Sequence, residues 1–372
     1  MRSFNMTLKS AIAVRAKRFS DGRIVLASVM ALGVFAGSAG FTPALAIEKR
    51  GTNTPAYVTP QAMIDSTRQI AAGVSDAVNN QLAPGSPPAQ STPVLQYAVK
   101  GIAEPAADAF TALDGEFAST NQAALLWNVW TDATIAFADR NIPVVGYDGT
   151  LATVSLGLDR KLGDRSVLGV LLNFEASDFD TAGPGTFDST GYGIGVYGGT
   201  ALSDHWVADA MLVWKHFDND LTGPVGPDNF DSDRWQAAAN LTGYWYRDAW
   251  RYSPTLGGAW SHEDQDAGLN PAQTLTTALA SAGLEVGYTT VLDDTRSLEP
   301  WASLTAEWTF HDSGATVFGP DPDLNELDLR LAGGLNAMLA ENFSLSLHAD
   351  VAGLARSNFL IATIGAQAAL QF

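Results

Sequence analysis

Three histidines sit beside carboxylates in this chain: His216 with Asp218, His262 with Glu263 and Asp264, and His311 with Asp312. An imidazole titrates near neutrality and a neighbouring carboxylate can orient it, so each pair has the minimum needed for general-base or metal chemistry. Along an extended chain, however, successive side chains point to opposite faces. His216 and His262 fall on the faces of Trp214 and Trp260, whereas His311 falls on the face of Glu307. The three do not converge, and they read as solvated rim residues. The run Asp321-Pro322-Asp323-Leu324-Asn325 puts oxygens at alternate positions, as a calcium loop does. Its sixth position is Glu326 where the loop needs Gly, and its twelfth is Ala332 where it needs Glu. Gly191–Gly199 lacks the Lys-Ser/Thr pair and the following helix of a phosphate loop. Cysteine is absent, which removes thiol nucleophiles and thiolate metal sites. No catalytic residue, cofactor or metal site is assigned, and the sequence reads as that of a non-enzyme.

The elements around these residues explain the pattern better. At the amino end Arg2, Lys9, Arg15, Lys17, Arg18 and Arg23 lead into the apolar run Ile24–Ala36, and small residues ending Ala44-Leu45-Ala46 follow. Basic region, short apolar core and small-x-small site make a secretory signal over residues 1–46, with cleavage expected after Ala46. Its removal takes the net charge from −19 to about −24. So acidic a chain is a poor partner for nucleic acid. Beyond it no stretch of ~18 apolar residues offers a helical membrane span.

From Trp127 onward the chain divides into twelve two-faced segments, near 127–139, 150–162, 165–177, 188–201, 204–217, 233–247, 250–263, 276–292, 296–311, 326–340, 343–355 and 358–372. In the second, Val154, Leu156 and Leu158 oppose Thr153, Ser155, Asp159 and Lys161. In the ninth, Leu304, Ala306 and Trp308 oppose Ser303, Thr305 and Glu307. In the tenth, Leu327, Leu329 and Leu331 oppose Asp328 and Arg330. Strands of this length and two-sidedness suit a tilted membrane crossing with one face to lipid and one to a polar lumen. Asp159, Lys161, Glu307, Asp328 and Arg330 are expected to face that lumen. Short turns at Gly163-Asp164, Ser203-Asp204, Asp248-Ala249, Asp293-Asp294 and Glu341-Asn342 alternate with longer connections near 178–187, 218–232, 264–275 and 312–325. All ten tryptophans lie between Trp127 and Trp308, mostly near strand ends, as two interfacial girdles require. The fold expected is all-β: a 12-stranded antiparallel transmembrane barrel.

Residues 106–372 resemble the β-domain of autotransporters, the type V secretion family of Gram-negative outer membranes. The likeness rests on Trp127 in the first strand, Gly157-Leu158-Asp159 in the second, Gly191-Tyr192-Gly193-Ile194-Gly195-Val196-Tyr197 in the fourth and the terminal Phe372. It implies an outer-membrane location, contact with outer-membrane lipid, a monomeric barrel and a helix in the pore. It also implies that Phe372 is the aromatic read by the barrel-assembly machinery. The expected function is to anchor or translocate a short amino-terminal segment; the alternative is a passive pore or adhesin plugged by that segment. Some family members cut their pore helix at asparagine, but Asn79-Asn80 and Asn121 lie in no such motif.

Twelve strands ~4.8 Å apart and tilted by ~40° give a backbone radius of roughly 12 Å, which leaves room for one α-helix. The Ala-rich stretch 105–126 is expected to be that helix, with Ala112–Ala124 near Asp159, Glu307 and Arg330. Residues 47–104 would then be a short passenger and linker. Within them Gln61–Leu82 reads as a helix with Ile64, Ala71, Val74, Val78 and Leu82 on one stripe, and 83–93 as a Pro/Ser-rich linker.

Overall fold

The period-two pattern from Trp127 onward becomes twelve staves of one closed antiparallel barrel. The structure, a computed structural model, describes residues 58–83, 126–141, 146–181, 185–223, 226–268, 272–313 and 327–372. The signal segment with Ala46 and the stretch 105–126, up to residue 125, lie outside them. The staves are β1 Trp127–Arg140, β2 Tyr147–Lys161, β3 Ser166–Thr181, β4 Thr186–Ala201, β5 Trp206–Gly223 and β6 Gly226–Gly243, continued by Trp245–Arg247. They go on through β7 Trp250–Gln265, β8 Gln273–Tyr288 (continued by Thr290–Val291), β9 Ser297–Ser313, β10 Leu327–Ala340, β11 Phe343–Ala352 and β12 Phe359–Gln371. Each pairs with its sequence neighbours, and β1 pairs with both β2 and β12. At the seam Trp127 and Phe372 exchange both backbone hydrogen bonds, at 2.9 and 2.8 Å. Closure leaves no edge strand, which is what lets a sheet satisfy its backbone inside lipid.

Hereafter the inner end is the one where β1 begins and β12 finishes. One inner turn, between β8 and β9, is pinned by Asp293, whose carboxylate accepts from Arg296 Nε at 2.6 Å and from the Thr295 and Arg296 backbone amides. The Arg296 hydrogen bond, with the Thr295 amide, holds the Asp293 carboxyl down at about 2.

Parity then sorts the two faces. Leu156, Leu172, Phe174, Ile194, Val196, Leu304 and Leu331 are exposed on the outside of the barrel, an apolar band of the kind lipid covers. Trp235, Trp260 and Trp308 lie on the outside toward the outer end, and Trp245 and Trp250 toward the inner end. Two tryptophans leave the girdles: Trp130 is fully buried in the lumen, and Trp301 lines a lumen cavity.

The outer connections differ from the sequence expectation. The stretches 178–187 and 218–232, read as loops for their Asp, Asn and Gly, are mostly ladder. Residues 178–181 pair with Tyr147–Thr150 of β2 and 178–180 with β4, and the β5–β6 ladder runs to Gly223 opposite Gly226. The weak strand propensity of Asp and Asn is overridden by inward Phe179, Phe187 and Leu221, which bury an apolar collar at the outer end.

Among the described residues one helix precedes the barrel, α1 Thr59–Leu82. Pro60 suits its first turn, and the Ala83 amide donates to Asn79 O at 2.8 Å to close the last. Most of its residues are buried, because it lies inside the barrel. Its apolar stripe packs Val74, Val78 and Leu82 against Trp130, Val167, Tyr197, Val207 and Tyr244 near the inner end. Val58 and Ala62 pack among Tyr147, Leu151, Phe179, Phe187 and Ile361 near the outer end. The helix expected over 61–82 as part of a passenger lies in the lumen; the stretch 112–124, expected there, lies outside the described residues. A stripe of Ala and Val set among Ser, Thr and Gln fits a narrow polar lumen as well as it fits a soluble helix, so periodicity alone could not choose between them.

Candidate functional site: the occupied lumen

Between the two apolar collars the lumen is polar, and α1 is fastened to its wall there. Glu175 on β3, Lys215 on β5, Arg234 and Gln236 on β6 and Glu263 on β7 all point inward because alternate residues of these strands do. Lys215 Nζ lies 2.5 Å from Glu175 Oε2, with its side chain wholly buried. Arg234 bridges Glu175 at 3.2 Å and Glu263 at 2.6 Å, and stacks over the Phe217 ring. A buried charge is tolerated only where it is paired and hydrogen-bonded, and here the row is complete. α1 adds to it: Ser66 Oγ donates to Glu175 at 2.5 Å and accepts from Lys215 at 2.8 Å. Gln236 donates to Thr67 Oγ1 at 2.7 Å, and Thr153 donates to Gln69 Oε1 at 2.6 Å.

A second fastening lies toward the inner end. Asp159 accepts from Gln81 of α1, from Asn128 at 3.1 Å and from Tyr197 at 2.5 Å, while Trp130 Nε1 donates to Tyr197 at 2.6 Å. The Trp130 indole takes the space beside Gly157, where any Cβ would overlap it. Ser75 donates to Asp209 at 3.0 Å, and Gln367 donates to the Gly73 carbonyl at 2.7 Å.

Across the lumen the contact is sparser. Arg68 of α1 reaches Glu307 on β9 at 3.1 Å, and the same Oε1 accepts from Arg330 on β10 at 2.9 Å. Arg330 also pairs with Asp350 on β11. Inward from this cluster a cavity of about 470 Å³ lies between α1 and the wall of β6–β11, and Arg251 spans Glu285 and Glu299 within it, each at 2.6 Å.

Of the residues expected in the lumen, Asp159, Glu307, Asp328 and Arg330 are buried on its wall. Lys161 is half-buried near the inner end of β2, one turn of pleat from Asp159. Asp328 accepts from the backbone amide of Gly353, at 2.8 Å, in the β11–β12 link. Glu307 and Arg330 come together, and Asp159 lies apart from them, at the other fastening. The row Glu175–Lys215–Arg234–Glu263 was missed as a unit. Its signal was available: each is a charge on the inward, polar face of its strand.

Two of the three histidines have described side chains. His216 and His262 lie on the outer surface, stacked on Trp214 and Trp260, with ring centroids 6.4 and 5.7 Å apart. His311 pairs through its backbone with Thr277. Among the described residues His216, Asp218 and Asp231 bring one ligand atom each within 4.8 Å of one another. Asp231 is the cross-strand partner of Asp218, a neighbour that needs the register to be seen.

The arrangement is that of a barrel whose pore holds a helix of its own chain, and the fold is similar to that of known proteins. The family model "Autotransporter beta-domain" matches residues 129–350. The β-domain of the Bordetella autotransporter BrkA is similar at 17% identity, over 66% of this chain and 100% of that one, with a TM-score of 0.56. The transport unit of AIDA-I from Escherichia coli is similar at 12% identity, over 72% and 97%, with a TM-score of 0.53. The translocator domain of NalP from Neisseria meningitidis is similar at 11% identity, over 74% and 98%, with a TM-score of 0.50. At these identities the solved structures establish the fold, while the family match spans more than half of the chain. The protein belongs to the autotransporter β-domain family and is a translocator barrel of the outer membrane.

Proposed function

We propose that this barrel exports and anchors the segment that precedes α1, and that α1 remains behind as the stopper of the pore. The observation that carries this reading is the direction of the helix. Val58 packs among residues at the outer end, and Leu82 among residues at the inner end. On this reading the segment ahead of Val58 leaves toward the outside. Ala83 and Leu126, the described residues that flank 84–125, both adjoin the inner end. On this reading residues 1–46 are the signal peptide, cut after Ala46. The exposed segment is shorter than 47–104, and α1 takes the role first given to 105–126. The test uses the absence of native cysteine. With an impermeant maleimide on intact cells, Thr54→Cys should label, and Ser91→Cys should label only after the outer membrane is opened. Labelling of Ser91→Cys from outside would sink the reading.

The partners are outer-membrane lipid and the barrel-assembly machinery, with Phe372 as the residue that machinery reads. Its backbone closes the seam with Trp127, so its ring stands where the last strand is presented. Phe372→Asp should leave export to the periplasm intact and sharply lower the heat-modifiable, membrane-embedded form. Equal amounts of that form would argue that Phe372 is only a seam residue.

A further inference from the structure

α1 does not fill the pore evenly. One side is fastened to β2, β3, β5, β6 and β12 by the hydrogen bonds described above; the other side, carrying Ala72 and Asp76, is solvent-exposed although it lies inside the barrel. It faces the cavity of about 470 Å³, whose wall continues to Tyr246, Thr289, Ser297 and Ser344 at the inner turns. The space is therefore a vestibule that reaches the periplasmic end. Toward the outside it ends at Arg68, Glu307 and Arg330.

We propose that the Arg68–Glu307–Arg330 cluster is an ionic gate that shuts a cation-conducting path running beside α1. The inference rests on α1 staying in the lumen. Arg68 is the side chain that crosses from the helix to the far wall: its Nε forms an ion pair with one Glu307 oxygen at 3.1 Å, that oxygen accepts a hydrogen bond from Arg330 at 2.9 Å, and Arg330 is held in turn by Asp350. Arg68 is also braced on its own helix by Asp65, at 2.5 Å. A guanidinium shared this way closes the gap without apolar packing, so the closure is electrostatic and is weakened by removing one charge. Below the gate Asp76, Glu285 and Glu299 face Arg251, an acidic excess that favours cations over anions. Selectivity in such pores follows from rings of charge along the path, and here the acidic vestibule below the gate sets its sign. The remaining contacts of α1, at Ser66, Thr67, Gln69, Ser75 and Gln81, are on the other wall and do not depend on Arg68. The gate is thus separable from the seating of the helix.

The test is conductance of the full-length protein in planar bilayers, with folding verified by heat-modifiable migration. Wild type should conduct little. Arg68→Ala should raise the conductance on the order of tenfold, as expected when a charged constriction is removed, with a reversal potential shifted toward potassium in a KCl gradient. Glu307→Gln keeps the shape of the side chain and should give the same change to a smaller degree; it covers the case in which Arg68→Ala fails to fold. Ala72→Cys, in the vestibule, should react with a small charged thiol reagent from the periplasmic side only, and from both sides once Arg68→Ala is added. If both gate variants stay closed while Ala72→Cys remains shielded from outside, the gate is wrong and the stopper stands. If Ala72→Cys in otherwise wild-type protein reacts from both sides, α1 does not plug the pore and both readings fall. An anion-selective current in Arg68→Ala would overturn the assignment of the path as cation-conducting.

Discussion

Glu175→Leu is expected to destabilise the folded barrel by about 3–5 kcal/mol, the cost of removing one partner from a buried ion pair. The carboxylate accepts from Lys215, Arg234 and Ser66, so its loss leaves two cations buried in the lumen with fewer partners. Lys215 suffers most, because Glu175 is its one acidic partner within hydrogen-bond reach and its side chain has no solvent contact. Arg234 keeps Glu263. Adding Lys215→Met to Glu175→Leu should therefore recover a large part of the loss, since the uncompensated charge is then gone. Urea unfolding of the protein in lipid vesicles reads both values, and the comparison is sound where the two variants share one denaturant slope. If the single and double variants lose the same stability, the charge row contributes packing and not pairing.

The second large effect is on the opposite face. Leu304→Arg places a guanidinium in the apolar band, opposite Leu331 on one neighbour and Leu284 on the other. A cation at the midplane of a membrane barrel costs about 2–4 kcal/mol. Ser303→Arg, one residue earlier, turns into the cavity among Glu285 and Glu307 and should fold nearly as well as wild type. Two arginines on adjacent residues with opposite outcomes would establish which face meets lipid. Equal tolerance of both would mean that β9 is not lipid-facing at residue 304.

The barrel was largely legible because its signal is local and repeated. Leu327, Leu329 and Leu331 against Asp328 and Arg330 announce a two-faced strand from five residues, and the pattern recurs through twelve staves. Strand ends were less legible where the collar lies. Asp178, Asp180, Asp218 and Asp220 argue for loops when read singly, and only the inward Phe179, Phe187 and Leu221 between them explain the ladder. The lumen helix was harder still. An Ala-rich stretch next to Trp127 and an Ala/Val-striped stretch forty residues earlier fit one narrow pore equally well in composition. What distinguishes α1 is a set of hydrogen bonds to strands far along the chain, such as Ser66 with Glu175 and Gln81 with Asp159. No spacing rule within the helix encodes such partners. The exterior grouping of His216, Asp218 and Asp231 was invisible for the same reason: its third member arrives by register.

The seam between Trp127 and Phe372 bears on the order in which the molecule can be put together. α1 carries Arg68 and Asp76 through a tube narrowed at either end by an apolar collar. Sliding it in along the axis of a finished cylinder would drag those charges past aromatic and aliphatic side chains, at the desolvation cost that charges carry. With β1 and β12 still apart, the same helix can be laid sideways against the curved wall of β3–β6 and fastened before anything closes over it. The join is also the most distant pairing in the chain, and the entropic cost of bringing such ends together comes before its contacts are gained. Until then two bare strand edges stand open to other chains. The assembly order that follows is wall and helix first, seam last, and the final residues to zip are the ones at the carboxyl end.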